Sequence, residues 1–260
     1  MTKFYEYTAY ETAMKKANLW TYDAIIHKLE SSLFGDGAVI LPNGGVHAVF
    51  SMTRSEKHID DVLLMASLLE MIRPGVNVYY RPEESKIGAD GIMRNNAGSW
   101  RIKTQTHQVF TDLYKRFYDE NTKRRTINKE ALDNFNIYSV ASIYSDDGYL
   151  ATHSGVALIC TDHYTLDEVT QIHEAVCRVT NLPWVIVPRS GADVSYSYRK
   201  SDGGKMYRLY LPRKYSQEFF ELIRPFTLDS FLYKLATPLQ TKSNLEKTMT
   251  LVPEMSLSVF

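Results

Sequence analysis

Cysteine, long apolar runs and net charge are what this 260-residue sequence has least of. Its two cysteines, Cys160 and Cys177, are too few for a disulfide framework and lack the spacing of a metal knuckle, so a reducing compartment is expected. No stretch of about 18 apolar residues is present, which argues against a membrane-spanning helix. The opening MTKFYEYTAYETAMKK mixes acids with bases and has neither a signal-peptide core nor Arg-rich transit character, so a soluble, intracellular chain is expected. Basic and acidic residues balance at 30 each, and any nucleic-acid surface must therefore come from local segregation of charge. The seven histidines form no metal cluster, His163 and His173 being ten apart. The Gly-rich SDGGK reads as a turn, because no strand and helix flank it as a phosphate loop requires.

What is present is a pattern that occurs twice. Tyr22 to Phe34 has helical spacing, and Gly37 supplies a stop. Strands are expected at Ala38 to Leu41 and Val46 to Met52, joined by PNGG, then a helix capped by Ser55. VNVYYR and SWRIKT follow as strands around a polar loop from Pro82 to Gly98, and His107 to Tyr118 closes the unit as a helix. The second half repeats this order with GVALIC, a helix opened by Thr165, WVIVPR, KMYRLYLP and SQEFFELIRPF. Asp36 and Asp147 are 111 residues apart, Asp61 and Glu168 are 107 apart, and Phe110 and Phe219 are 109 apart. A near-constant offset this long indicates duplication rather than a solenoid. The fold class expected is α+β, with two pseudo-symmetric αββαββα repeats, each carrying a four-stranded antiparallel sheet. The boundaries drawn are an extension at 1–20, repeats at 21–128 and 129–236, and a tail at 237–260.

The two copies of the first helix, in LESSLFGDGAVI and VASIYSDDGYLA, both end in an acid followed by glycine. Ser31 and Gly35, four apart, and Ala141 with Ser142 in the second copy, make small-residue faces on which two helices can approach closely. If they do, Asp36 and Asp147 converge at helix C-termini, where a carboxylate is disfavoured by the helix dipole and by its twin. Bound divalent cations relieve that repulsion through oxygen ligands, so a magnesium site of two or more ions is expected.

LESSLFGDG and VASIYSDDG, together with TLDEVTQIHEAV and FFELIRPFTLDSFLYKL, resemble the monomeric, two-repeat LAGLIDADG homing endonuclease family over about residues 20–236. The resemblance implies two sheets forming a DNA-binding saddle and a site-specific double-strand DNA endonuclease that leaves short 3′ overhangs and serves intron homing. It implies that Asp36 and Asp147 hold the metal ions, with the carbonyls of Gly35 and Asp146 as further ligands. Lys234 matches a basic residue that supports the hydrolytic water. Its counterpart by offset is Arg125, with Lys123 nearby as a substitute; an arginine is a poor proton carrier. The family's polar strand-end residue is replaced by Phe50 in the first repeat and by Asp162 in the second. An RNA maturase or a cleavage-impaired DNA binder on the same scaffold is the alternative, with intron RNA as its partner. An organelle, or a bacterial, archaeal or phage-infected cytoplasm, is the expected setting.

Charge is segregated onto the expected reading ribbons. Trp184 to Lys214 carries seven basic residues against two acids, and Arg73 to Lys103 six against three. The candidates for contact with a long, asymmetric double-stranded site are Arg81, Lys86, Arg94, Arg101 and Lys103 in the first repeat. Arg189, Arg199, Lys200, Lys205, Arg208 and Arg213 are those in the second. An antiparallel ribbon fits the major groove.

Overall fold

The computed structural model describes residues 21–87, 93–151, 153–189 and 203–235. Arg199 and Lys200 lie outside them, as do both tails.

Helix α1 (Tyr22–Leu33) starts where Thr21 accepts a hydrogen bond from the Ala24 N–H at 3.2 Å. Its partner α5 (Ile137–Asp147) starts with a capping box in which Asn136 and Ser139 satisfy each other's backbone N–H groups. Both ends are therefore specified by side chains within four residues of the start. Between them come β1 (Gly37–Ile40), β2 (Val49–Ser55), α2 (Ile59–Ile72), β3 (Asn77–Arg81), β4 (Glu84–Ile87), β5 (Met93–Asn96), β6 (Ser99–Lys103), α3 (Gln108–Phe117) and the short α4 (Lys129–Asp133). After α5 follow β7 (Gly148–Ala151), β8 (Val156–Cys160), α6 (Leu166–Thr180), β9 (Val185–Pro188), β10 (Tyr207–Leu211) and α7 (Arg213–Ile223). A last 3₁₀ segment spans Asp229–Leu235.

The strands form two antiparallel sheets of matching order, β1-β2-β6-β3 and β7-β8-β10-β9. Gly37 faces Met52 in the first, and Gly148 faces Ile159 in the second. The duplicated frame is thus fixed at single-residue precision: Met52 corresponds to Ile159, and Ile102, opposite Met52, to Leu209, opposite Ile159.

Three local expectations need correction. Strand β2 begins at Val49 rather than Val46, because Ala48 gives its N–H to Thr111 Oγ1 (2.9 Å) and its carbonyl to the His107 N–H (3.1 Å) at the start of α3. Ser55 precedes a 3₁₀ turn, Glu56–His58, and makes no side-chain cap; α2 opens at Ile59. The span from Pro82 to Gly98 is not only loop, since β4 and β5 pair there as a hairpin with Lys86 opposite Arg94. That ribbon has no apolar alternation in its sequence to reveal it.

One continuous apolar cluster runs through both repeats, from Leu29, Phe50 and Phe110 in the first to Tyr144, Ile159 and Phe219 in the second. Phe34, at the end of α1, packs edge-on against Phe117 and Phe135, with ring centroids 5.6 and 5.3 Å away. Truncating such a ring costs about 3–5 kcal/mol, so the position of the α1 terminus is strongly specified. Among the described residues no helix is long and apolar enough to cross a membrane.

Candidate active site

The two helices that end in acids do pack on each other, through the small residues. Ser31 Oγ donates to Ser139 Oγ at 3.0 Å, and Lys28 Nζ donates to Ser142 Oγ at 3.3 Å. In the duplicated frame Ser31 corresponds to Ser142 and Lys28 to Ser139, so each contact is the pseudo-symmetric image of the other. Gly35 and Asp146 likewise correspond, and they meet each other at the axis. A Cβ on Gly35 would run into the Asp146 carboxylate, and the N–H of Asp36 donates to Asp146 Oδ2 at 3.0 Å. Glycine is required there so that the second repeat's carboxylate can reach the first repeat's backbone.

Asp146 therefore engages the first repeat through its side chain, whereas the sequence points only to its carbonyl. Its other oxygen accepts from Arg54 Nη2 at 2.6 Å. Arg54 also donates from Nε to Asp61 Oδ2 at 2.6 Å and from Nη1 to Asp36 Oδ2. The guanidinium is 4% exposed, and the side chains of Asp61 and Asp146 are 3% and 1% exposed, whereas Asp36 is 49% exposed. Burial works against the Arg54 charge, but Asp146, Asp61 and Asp36 outweigh it and hold its pKa above the ordinary value. Asp61, although buried, is held below the usual carboxylate range, chiefly by Arg54. Burial pushes Asp146 up further than Arg54 draws it down.

Neither Arg54 nor Asp61 is visible as a site residue in the sequence. Arg54 lies on the rung Arg54–Trp100–Tyr80, which faces the core side of the sheet, and its three partners come from three separate segments. The register also corrects the expected pairing of Phe50 with Asp162. Phe50 is fully buried core; its counterpart is Ala157, and the counterpart of Asp162 is Ser55.

Asp147, at the end of α5, has its carboxyl pushed up to about 7 by burial and then by Asp146 and Asp36, against the pull of Lys234 and Arg125. Each helix terminus does carry the cation its dipole favours. Lys234 Nζ donates to the carbonyls of Ser145 (2.6 Å) and Asp146 (3.2 Å). Arg125 donates to the carbonyls of Gly35 (2.6 Å) and Gly37 (2.5 Å). The two carbonyls expected as metal ligands thus each accept from a cation, with a second lone pair remaining on each oxygen. Burial lowers the Lys234 pKa more than the three nearby carboxylates raise it. Arg125 shares its surroundings with the buried Tyr164, whose hydroxyl burial pushes up to about 12 and which donates to the Phe34 carbonyl at 3.2 Å. Lys123 is exposed in the preceding turn at φ 56°, and Arg125 takes the place beside α1.

Among the described residues no three His, Cys, Asp or Glu side chains converge as a ligand set. Magnesium needs none: it is held by one or two carboxylates and completes its shell with water and phosphate oxygens. Two acidic helix ends, Asp147 with its carboxyl raised chiefly by burial and Asp36 half exposed, fit that donor set. A cleft of about 380 Å³ opens over Asp36, bordered by Ser55, Lys57, Tyr233 and Lys234.

The basic residues of the sheets are arranged as a face. In the first sheet Lys103 shares a rung with Ser51 and Asn77, Arg101 with Thr53 and Tyr79, and Arg81 with Ser99. All project opposite the core row Met52–Ile102–Val78. In the second, Arg208 shares its rung with Cys160 and Val187. Arg189 pairs with Asp162, and Arg208 donates to Tyr149 Oη at 2.8 Å, so both are already oriented by the protein. Lys86 and Arg94 stand opposite each other on the β4–β5 hairpin. Lys205 is exposed just before β10, while Arg213 opens α7 beside Gly155 of the β7–β8 turn.

Comparison with known proteins agrees with this geometry. Residues 31–219 match the LAGLIDADG DNA endonuclease family. The chain is 25% identical over 212 residues to the DNA endonuclease I-ChuI of Chlamydomonas applanata, covering 79% of this chain and 91% of that protein. It superposes on the homing endonuclease I-WcaI, solved bound to its DNA recognition sequence, with a TM-score of 0.63 at 18% identity, covering 87% and 92% of the two chains.

Proposed function

The chain belongs to the LAGLIDADG DNA endonuclease family, and from that premise we propose that it cuts both strands of a long, asymmetric DNA site with divalent cations, magnesium foremost, held by Asp36 and Asp147. The observation that carries this reading is the meeting of the two acid-bearing helix ends, where the N–H of Asp36 donates across the axis to Asp146 at 3.0 Å. Two acidic termini are thereby brought to one place from positions 111 residues apart.

In-line hydrolysis of a phosphodiester needs an activated water, a neutralised pentavalent phosphate and a stabilised leaving oxygen; bound divalent ions supply Lewis acidity for this chemistry. The protein's own residues do the rest. Asp36 and Asp147 hold the cations. Lys234, with its pKa lowered by burial, orients the attacking water and carries its proton at Nζ. Arg125 remains charged, fixes the α1 terminus through two carbonyls, and offsets phosphate charge without moving a proton. The face bearing Arg81, Arg101 and Lys103, with Arg189 and Arg208 in the second sheet, lies along the major groove, where phosphate contacts set register and base-edge contacts set sequence.

Arg54 on Asp36, and an arginine where the second repeat has Lys234, favour the second reading, a nucleic-acid binder with weakened cleavage. Digestion of DNA spanning the sequence that flanks the coding element decides between them. Magnesium-dependent cleavage of both strands, lost in Asp36→Asn and Asp147→Asn with binding kept, is the expected result. Tight binding of that DNA or of intron RNA with no cleavage at any magnesium concentration would establish the second reading.

A further inference from the structure

The two halves of the site are not chemical copies. The register that equates Met52 with Ile159 equates Arg54 with Thr161. Among the described residues no hydrogen bond joins Thr161 to an acid; its hydroxyl donates to the Tyr207 carbonyl at 2.7 Å. The counterpart of Asp61 is Glu168, which pairs with Arg124 at 2.7 and 2.8 Å. Among the described residues, then, a buried guanidinium sits on the acid of the first repeat and not on that of the second. Among the described residues no hydrogen bond or ion pair reaches the Asp147 carboxylate.

Arg54 is not free to leave. Turning it away from Asp36 would also strip the buried carboxylates of Asp61 and Asp146 of their partner, and leaving such charges unpaired is strongly destabilising. The contact therefore persists when DNA arrives. A cation fixed on one oxygen of Asp36 lowers the electron density that acid offers to a metal, and repels a second cation close by. The Asp146 bond to the Asp36 N–H fixes the backbone as well, so Asp36 cannot escape by rotating its main chain.

We propose that Arg54 is a positioning residue for Asp36, holding one carboxylate oxygen so that divalent cations bind more weakly at Asp36 than at Asp147 and the two DNA strands are cut with unequal metal requirements. The proposal rests on the reading that divalent ions sit at these two acids.

The test follows each strand separately. Nicking of labelled DNA spanning the flanking sequence is measured against Mg²⁺ concentration with the full chain. In parallel, Ca²⁺ is titrated calorimetrically into the protein–DNA complex, which reads affinity without turnover. The expected half-saturating Mg²⁺ concentrations of the two strands differ by about tenfold, the scale on which groups behind a metal ligand tune affinity, and Ca²⁺ binds in two classes. Arg54→Thr, which copies the second repeat, lowers the higher requirement alone and merges the Ca²⁺ classes, while Arg54→Lys keeps the difference. If Arg54→Thr does not fold, the double variant Arg54→Met with Asp61→Asn removes the buried cation together with a buried anion and serves instead. Equal requirements in the unaltered protein overturn the proposal, and so does a difference that these variants leave unchanged or shift equally on both strands. Cleavage that needs no divalent ion at all overturns the premise, and is distinguishable because the Ca²⁺ classes are then absent too.

Discussion

Lys234 sits on the end of α5 as Arg125 sits on the end of α1, each giving hydrogen bonds to two carbonyls next to that terminus's aspartate. Burial draws the Lys234 pKa down, whereas an arginine stays charged and is a poor proton carrier. We expect Lys234→Met to slow single-turnover cleavage by about 10²-fold or more, with DNA affinity little changed. Arg125→Lys is expected to keep activity. A Lys234→Met enzyme with an unaltered rate would remove the proton-carrying role.

Asp147 ties stability to pH through its raised pKa of about 7, against 3.8 ordinarily. Between those values the folded protein keeps a proton that the unfolded chain has lost, so metal-free stability falls as pH rises through this window. Thermal melts without metal should show a stability loss between pH 5 and pH 8 that the unaltered protein suffers and Asp147→Asn does not, with Mg²⁺ restoring stability at pH 8. Asp147→Asn should melt higher than the unaltered protein at pH 8 without metal, and should not respond to Mg²⁺ to the same extent.

His58 responds in the opposite sense. It is buried, stacks on Phe231 at 4.0 Å and bonds Ser230 Oγ at 3.1 Å. Burial, then Lys57 and Arg54, lower its pKa from 6.5 to about 4. The unfolded chain takes up the proton first, so this contribution to stability is full above pH 6.5 and is lost as pH falls toward 4. Denaturant titrations at pH 7.5 and 4.5 should show a smaller acid loss for His58→Gln.

Gly35→Ala tests the axis. The added methyl meets the Asp146 carboxylate, which is fixed by Arg54 and by the Asp36 N–H. Overpacking of this kind costs about 1–3 kcal/mol, readable as a lower denaturation midpoint. Cleavage should fall further than stability alone explains, because the same shift moves Asp36. Gly203, where an added Cβ meets nothing within 4 Å, lacks this crowding and is the comparison site, although its φ of 69° carries its own strain.

The reading face makes a salt-dependent prediction. Lys103→Ala should weaken binding to target and unrelated DNA alike and reduce the salt slope by about one. Asp162→Asn should do the reverse for unrelated DNA, since it releases Arg189 and Arg208 from an internal anion.

Much of this was legible in the chain itself. Apart from the start of α2, the helix ends, the duplicated order of elements and the meeting of the two acid-bearing helix termini follow from periodicity, caps and a repeated Asp-Gly. Lys234 and Arg125 are legible through family likeness and the internal offset. Arg54 was not legible, because alternation on β2 marks its position as inward-facing and no local signal ties it to Asp61, Asp146 and Asp36 at once. The side-chain role of Asp146 was hidden for a related reason: sequence presents it as a neighbour of Asp147, while its bonds go to the other repeat. The β4–β5 hairpin lacked the apolar alternation by which strands are recognised.

At the axis Gly35 stands against Asp146, two positions that the duplication makes equivalent. A symmetric homodimer built from either repeat would have to set glycine against glycine, leaving a gap, or aspartate against aspartate, forcing two anions together. Seating one of each requires two halves that differ in sequence, which this single chain provides. Fusion thus does more here than join two halves: it allows them to become complementary, and once they are, neither half can be exchanged for a second copy of the other.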